Sequence, residues 1–195
     1  MELNEQDKDL VRSLKRAIYK TFFIMCKYSI EGEPTVEKKD IIQWMQRYNV
    51  VKPVEYLYAS VMTFRYGAKK SVYSVDGIIV VYYPEDVADF IFKYINVAGE
   101  GVDDIVDACG EFCNIIAGGF KVELVEAGYE ELDISVPVTF YGEVNELFEY
   151  RGDKQLEITY RKEGELFLMT DLAIDPKVLI KKAVGGDKKE EGANK

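Results

Sequence analysis

The alternation of apolar and polar residues predicts most of the elements. Over residues 5–30, Val11, Leu14, Ile18, Phe22 and Met25 return at spacings of three and four, the period of a helix with one buried face. Gly32 and Pro34 interrupt it. Residues 36–48 read as a short helix capped by Thr35, with Ile41, Ile42, Trp44 and Met45 apolar, ended by Pro53. Residues 54–66 and 71–83 are rich in Val, Ile, Tyr, Phe and Thr and read as strands, with turns at Gly67 and Asp76-Gly77. Pro84-Glu85-Asp86 opens a helix running to about Val97, because proline suits a first helical position and acids suit a first turn. Gly99-Glu100-Gly101 is a loop, and residues 103–127 form a second long helix. Strands follow at 132–144, 155–162 and 165–173, with turns at Arg151-Gly152-Asp153 and Glu163-Gly164. From Gly185 onward the chain is rich in Gly, Lys and Glu, a solvated, disordered tail.

A long helix followed by strands thus occurs twice. The expectation is an α+β fold of two long helices packed on an antiparallel sheet, pseudo-duplicated as α-β-β halves. Residues 1–184 form one domain and 185–195 the charged tail.

Composition narrows the chemistry. The chain has 195 residues, 48% hydrophobic and 13% aromatic, a globular makeup rather than a disordered one. Its formal net charge of −10 repels phosphate backbones and anionic lipid, so nucleic acid and membrane surfaces are excluded as partners. No apolar run is long enough to cross a bilayer, and the polar, acidic start Met1-Glu2-Leu3-Asn4-Glu5 is unlike a signal peptide. A cytoplasmic protein is expected. Three cysteines, Cys26, Cys109 and Cys113, make no disulfide framework and read as small core hydrophobes rather than metal ligands. There is no histidine, which removes Ser-His-Asp and Cys-His catalysis. Any enzymatic chemistry must run on carboxylates, amides or groups lent by a partner.

Some stretches suggest chemistry and do not carry it. The tyrosines at 56, 58, 66, 73, 82 and 83 are explained by strand propensity, since no basic stripe accompanies them. Arg151-Gly152-Asp153 spells an adhesion tripeptide but sits in a hairpin turn. Glu163, Glu165 and Asp171 surround a turn and a strand end, where charges are ordinary. No glycine-rich phosphate loop with a lysine is present.

The helix at 103–127 is different. With Asp107 set at zero on a wheel of about 100° per residue, Glu111 lies near about 40°, Asn114 near about 340° and Gly118 near about 20°. Ile105, Cys109, Phe112, Cys113, Ile116 and Phe120 fall on the opposite side. Gly110 lies close to the polar side. Glycines there cost roughly 1 kcal/mol each relative to alanine, and they leave the backbone open to another surface. An acidic stripe outside an amphipathic helix is ordinarily just solvated.

Resemblance sharpens this. Asp107-Ala-Cys-Gly-Glu111-Phe-Cys-Asn114-Ile-Ile-Ala-Gly-Gly resembles the signature helix of the CheX/CheC/FliY phosphatases: Asp or Ser, three residues, Glu, two residues, Asn. Gly128-Tyr129 followed by Leu132-Asp-Ile-Ser-Val-Pro137 is similar to the family's next segment. Gly77-Ile-Ile-Val-Val-Tyr-Tyr-Pro-Glu-Asp-Val87 resembles the strand leading into its short helix. The likeness covers about residues 54–173, with the first helix added by position. It implies the CheC-like fold and hydrolysis of the aspartyl-phosphate of a response-regulator receiver domain. It assigns water orientation to Asn114 and pairing with the receiver's lysine to Glu111. Asp107 and Gly118 fall to the partner-binding surface. The family needs no cofactor of its own, because Mg2+ belongs to the receiver, and it implies a homodimer built by sheet extension. Aligning Leu14 with Ile105 puts Arg16, Lys20 and Phe23 where Asp107, Glu111 and Asn114 sit, so one site per chain is expected, as in CheX. Residues 33–53 stand as an insertion, and 68–75 lengthen the first hairpin. A non-catalytic module binding a receiver or a flagellar-switch component is the alternative.

Overall fold

A computed structural model describes residues 2–40, 57–67, 75–95, 101–142 and 154–182. The helices are α1 (Glu5–Cys26), α2 (Glu85–Ile95) and α3 (Val102–Glu126). The strands are β1 (Thr35–Asp40), β2 (Leu57–Arg65), β3 (Gly77–Pro84), β4 (Asp133–Ile134), β5 (Val138–Tyr141), β6 (Lys154–Lys162) and β7 (Glu165–Ile174). A 3-10 turn at Pro176–Val178 follows.

Local chemistry explains the helix limits. Asn4 Oδ1 accepts the Asp7 N–H at 2.8 Å while Asp7 accepts the Asn4 N–H at 2.9 Å, a reciprocal cap that starts α1. Lys27, with φ of 52°, turns into the left-handed region and ends it. Gly101 donates its N–H to Asp104 at 2.9 Å at the start of α3. The β6–β7 hairpin turns on Glu163 and Gly164, with φ of 53° and 89°, the paired positive values of a two-residue hairpin turn.

All described strand pairs are antiparallel. The order is β1-β6-β7-β3-β2-β4, with β5 also on β2. Exchanging β1 with β5, β2 with β6 and β3 with β7 reproduces that order reversed. The repeat is therefore helix plus three strands, and the first-half strand not expected from the sequence is β1. The helices cover one face. Beneath them lie Leu14, Ile18 and Phe22 of α1, Phe112, Ile116 and Phe120 of α3, and Met62, Ile79 and Leu168 of the sheet. A second cluster, including Ala59, Val61, Ile78, Val80 and Tyr82, is buried on the opposite face. Central strands buried on both faces read as unbroken apolar runs, which is why Gly77-Ile-Ile-Val-Val-Tyr-Tyr does not alternate.

The expected helix at 36–48 is not formed over its described part. Thr35–Asp40 is a strand, in register with β6 from Thr35↔Thr159 to Asp40↔Lys154. The ladder and two side-chain ties decide it: Lys38 reaches Asp7 at 2.6 Å and Lys39 reaches Glu157 at 2.9 Å. Thr35, which resembles a helix cap, instead begins this strand. The first helix ends at Cys26 rather than 30. The single strand expected at 132–144 is split into β4 and β5 around Pro137, which has no N–H for a ladder. The rest of the 33–53 insertion, the hairpin extension at 68–74, the loop at 96–100, the Arg151-Gly152-Asp153 turn and the 185–195 tail lie outside the described residues.

Candidate functional site on helix α3

The outward face of α3 carries the stripe the wheel predicts. Asp107 and Glu111 are exposed, and Asn114 and Gly118 are partly so. Among the described residues no hydrogen bond or ion pair takes up the side chain of Asp107, Glu111 or Asn114. Most other charged groups on the two long helices are engaged: Lys8 with Glu5, Arg12 with Asp9, Lys15 with Glu33, and Lys121 with Glu131. Residues three apart on a helix have Cβ atoms about 5–6 Å apart. Glu111 and Asn114 can thus enter one partner pocket together.

The opposite face fixes the stripe in place. Cys109, Phe112, Cys113, Ile116 and Phe120 are fully buried. The Tyr83 hydroxyl donates to the Cys109 carbonyl at 3.2 Å, and the Cys113 thiol lies 3.8 Å from the Ser60 carbonyl. Burial pushes the Cys109 and Cys113 thiols far above the ordinary cysteine range, so neither is a nucleophile. Among the described residues no three His, Cys, Asp or Glu side chains are placed to hold a metal ion.

The glycines divide by role. A Cβ on Gly110 would lie 3.0 Å from Thr139 Oγ1 and 3.7 Å from Pro137 Cγ, while Thr139 Oγ1 is 2.8 Å from Ser60 Oγ. Gly110 is therefore approached by the chain's own β5, not left open for a partner. Gly119 lets α3 cross α1, its Cβ position lying 3.3 Å from Ala17 Cβ. At Gly118 an added Cβ meets nothing within 4 Å. It is an open notch one turn beyond Asn114.

Two further features are hidden in the sequence. Glu123, on α3, is only 3% exposed and accepts from Arg16 at 3.4 Å and from Lys20. Nothing in the sequence signals this, because the partners lie about a hundred positions away. Asp171 does not lie at a strand end as expected. It sits within β7, is buried, and accepts the Tyr82 hydroxyl at 3.1 Å. Burial raises its pKa to about 7, against the lowering effects of that hydrogen bond and of Lys39. It shares no site with exposed Glu165.

Helices on one face of an internally duplicated antiparallel sheet make the CheC-like fold. The family model described as "Chemotaxis phosphatase CheX" matches residues 72–161, and over that stretch the chain is similar to CheX. That match contains the whole of α3 and leaves α1 outside. A search of curated proteins gives no match. Among solved structures, the chemotaxis protein CheX of Desulfovibrio desulfuricans is 14% identical, with TM-score 0.59 over 85% of this chain and 99% of that one. A CheX–CheY–BeF3–Mg2+ complex from Borrelia burgdorferi matches at 15% identity and TM-score 0.53, over 85% and 97%. The FliM middle domain of Vibrio alginolyticus matches at 8% and 0.57, over 86% and 92%. At these identities the likeness is one of fold. No helix among the described residues is long and apolar enough to cross a membrane.

Proposed function

We propose that the chain is a phosphatase for the aspartyl-phosphate of a CheY-like receiver domain, acting in the cytoplasm through Glu111 and Asn114. The observation that carries it is a carboxylate and an amide three residues apart on an exposed stripe, uncommitted within the chain and inside the family match. The CheX–CheY complex among the structural relatives supports a receiver as the partner.

Physics fits these roles. Hydrolysis of a phosphoryl-aspartate needs a water held in line with the bond that breaks. An amide both donates and accepts, so Asn114 can fix that water's position and direction. The water oxygen bonds to phosphorus, the receiver's carboxylate leaves with the bonding pair, and inorganic phosphate is released. Charge neutralisation comes from the receiver's own Mg2+, and the chain supplies no cofactor. A carboxylate beside a phosphoryl group is unfavourable unless a cation lies between them. Glu111 therefore takes the receiver's lysine, which also docks the two surfaces. Asp107 lies on the partner rim, and the Gly118 notch lets the receiver's backbone approach. We extend the reading to a homodimer, since the described sheet ends in edge strands, β1 and β4–β5, able to pair with a second copy.

The test is loss of radiolabelled phosphoryl groups from candidate receivers. Wild type accelerates it, and Asn114→Ala abolishes the acceleration with binding retained. Likeness to a FliM domain favours a second reading, a binding module without hydrolysis. Receivers that bind but lose label no faster would establish that reading instead. Acceleration surviving Asn114→Ala would overturn the mechanism.

A further inference from the structure

We infer that Val136, on the connection between β4 and β5, docks the receiver through an apolar contact beside the polar stripe. This rests on the reading of α3 as the receiver-binding helix. Val136 is 79% exposed, more than any other large hydrophobic residue described. Single exposed apolar residues are common, so exposure alone carries nothing. The backbone around this one carries the inference.

Both β4 and β5 pair with β2, but not in one continuous register. Phe64 pairs with Ile134 and Val61 with Val138. Between those pairs β2 has two residues, Thr63 and Met62, whereas the other side has three, Ser135, Val136 and Pro137. The extra residue is a bulge, a device that re-aims a side chain. It is held on both sides. Ser135 donates its N–H to the Thr63 carbonyl at 3.0 Å, and its Oγ accepts the Thr63 N–H at 3.0 Å. The same hydroxyl lies 2.9 Å from the Val136 carbonyl. Pro137 abuts α3 at Gly110, and Thr139 is tied to Ser60.

Gly110 lies about 40° from Asn114 and about 60° from Asp107 around the helix. The segment carrying Val136 therefore flanks the stripe on the side of Asn114. Charged contacts such as those of Asp107 and Glu111 set orientation and partner choice more than affinity. An apolar side chain already held in place adds affinity at little ordering cost. The contact required of the receiver is an apolar side chain beside its phosphorylated pocket.

Steady-state removal of label from a radiolabelled receiver separates the possibilities. Val136→Asp raises KM about tenfold or more and the neutral Val136→Ser about three- to tenfold, the loss expected for one valine buried in part. For both, kcat stays within about twofold, because the side chain does not reach the reacting atoms. Asn114→Ala instead lowers kcat. A KM for Val136→Asp and Val136→Ser within twofold of wild type, with hydrolysis intact, overturns the docking role and leaves the phosphatase reading standing. If wild type binds the receiver without hydrolysis, the phosphatase reading falls. The same variants then weaken Kd by those factors, or the docking role falls too. If wild type binds no receiver, both fall. Thermal midpoints equal to wild type exclude misfolding, and Val136→Ser serves if Val136→Asp lowers the midpoint.

Discussion

Helices α1 and α3 begin the two halves of the fold, pack against each other on one face of the sheet, and present opposite outer surfaces. On α3 the stripe is Asp107, Glu111 and Asn114, free of partners within the described chain. At the aligned positions on α1 stand Arg16, Lys20 and Phe23. The two cations are occupied with Glu123, the buried carboxylate of α3, and that contact holds the Lys20 ammonium above its ordinary pKa. Phe23, 60% exposed, has no amide with which to orient water. A buried carboxylate without a counter-charge is strongly unfavourable. Arg16 and Lys20 of α1 thus serve the fold, while the α3 stripe stays uncommitted among the described residues and is the surface the proposed function uses.

The comparison breaks most sharply on activity. Asn114→Ala lowers receiver dephosphorylation about a hundredfold or more, the scale of losing a positioning group in the transition state. Its unfolding free energy stays within about 0.5 kcal/mol of wild type, as for other surface changes. Glu111→Ala weakens receiver binding with the same indifference of stability. The α1 pair behaves in reverse: Arg16→Ala combined with Lys20→Ala lowers the unfolding midpoint, because Glu123 is left without its cations, and leaves kcat unchanged. A loss of kcat in that double variant, at a temperature where it is folded, would show that α1 also contributes to the site.

The opposite face of the sheet gives a pH-dependent counterpart. Asp171 has a folded pKa raised to about 7, chiefly by burial. Between about pH 4 and pH 7 the folded state therefore holds a proton that the unfolded chain has released. Stability falls as pH rises through that window and is level above it. Asp171→Asn keeps an acceptor for Tyr82 and removes the ionisation. It raises stability at pH 8, by order 2 kcal/mol, with no gain near pH 4. Denaturant midpoints at the two pH values check this. An equal effect at both would show that Asp171 is ionised in the fold throughout.

How much of this was legible follows the range of the forces involved. The three helices, β6 and β7 announce themselves through local periodicity and turn chemistry. The α3 stripe is visible on a wheel, though only resemblance gave it a function. Strand β1 was not legible, because Thr35–Asp40 is held by β6 across more than a hundred residues and its first residue resembles a helix cap. The buried contacts of Glu123 with α1 and of Asp171 with Tyr82 were not legible for the same reason. Val136 left one signal, an apolar residue between Ser135 and Pro137 inside a strand-like run, and register with β2 was needed to see it as a bulge.

The smallest effects separate two glycines that the sequence presents alike. Both lie near the polar side of α3, and both cost helix propensity of about 1 kcal/mol relative to alanine. Gly118→Ala gains up to that amount, since the new methyl meets nothing within 4 Å. It also narrows the notch beside Asn114 and so weakens receiver binding. At Gly110 the methyl meets Thr139 Oγ1 at 3.0 Å, and the tie to Ser60 keeps that hydroxyl from yielding freely. Overpacking costs about 1–3 kcal/mol, which offsets the propensity gain, so Gly110→Ala is neutral to destabilising by about 1–2 kcal/mol. Thr139→Ala removes the obstruction and should restore the gain in Gly110→Ala, a coupling that a double-mutant cycle reads directly. Without that coupling, Gly110 would be an exposed-helix glycine like Gly118, and the wall that presents Val136 would not depend on it.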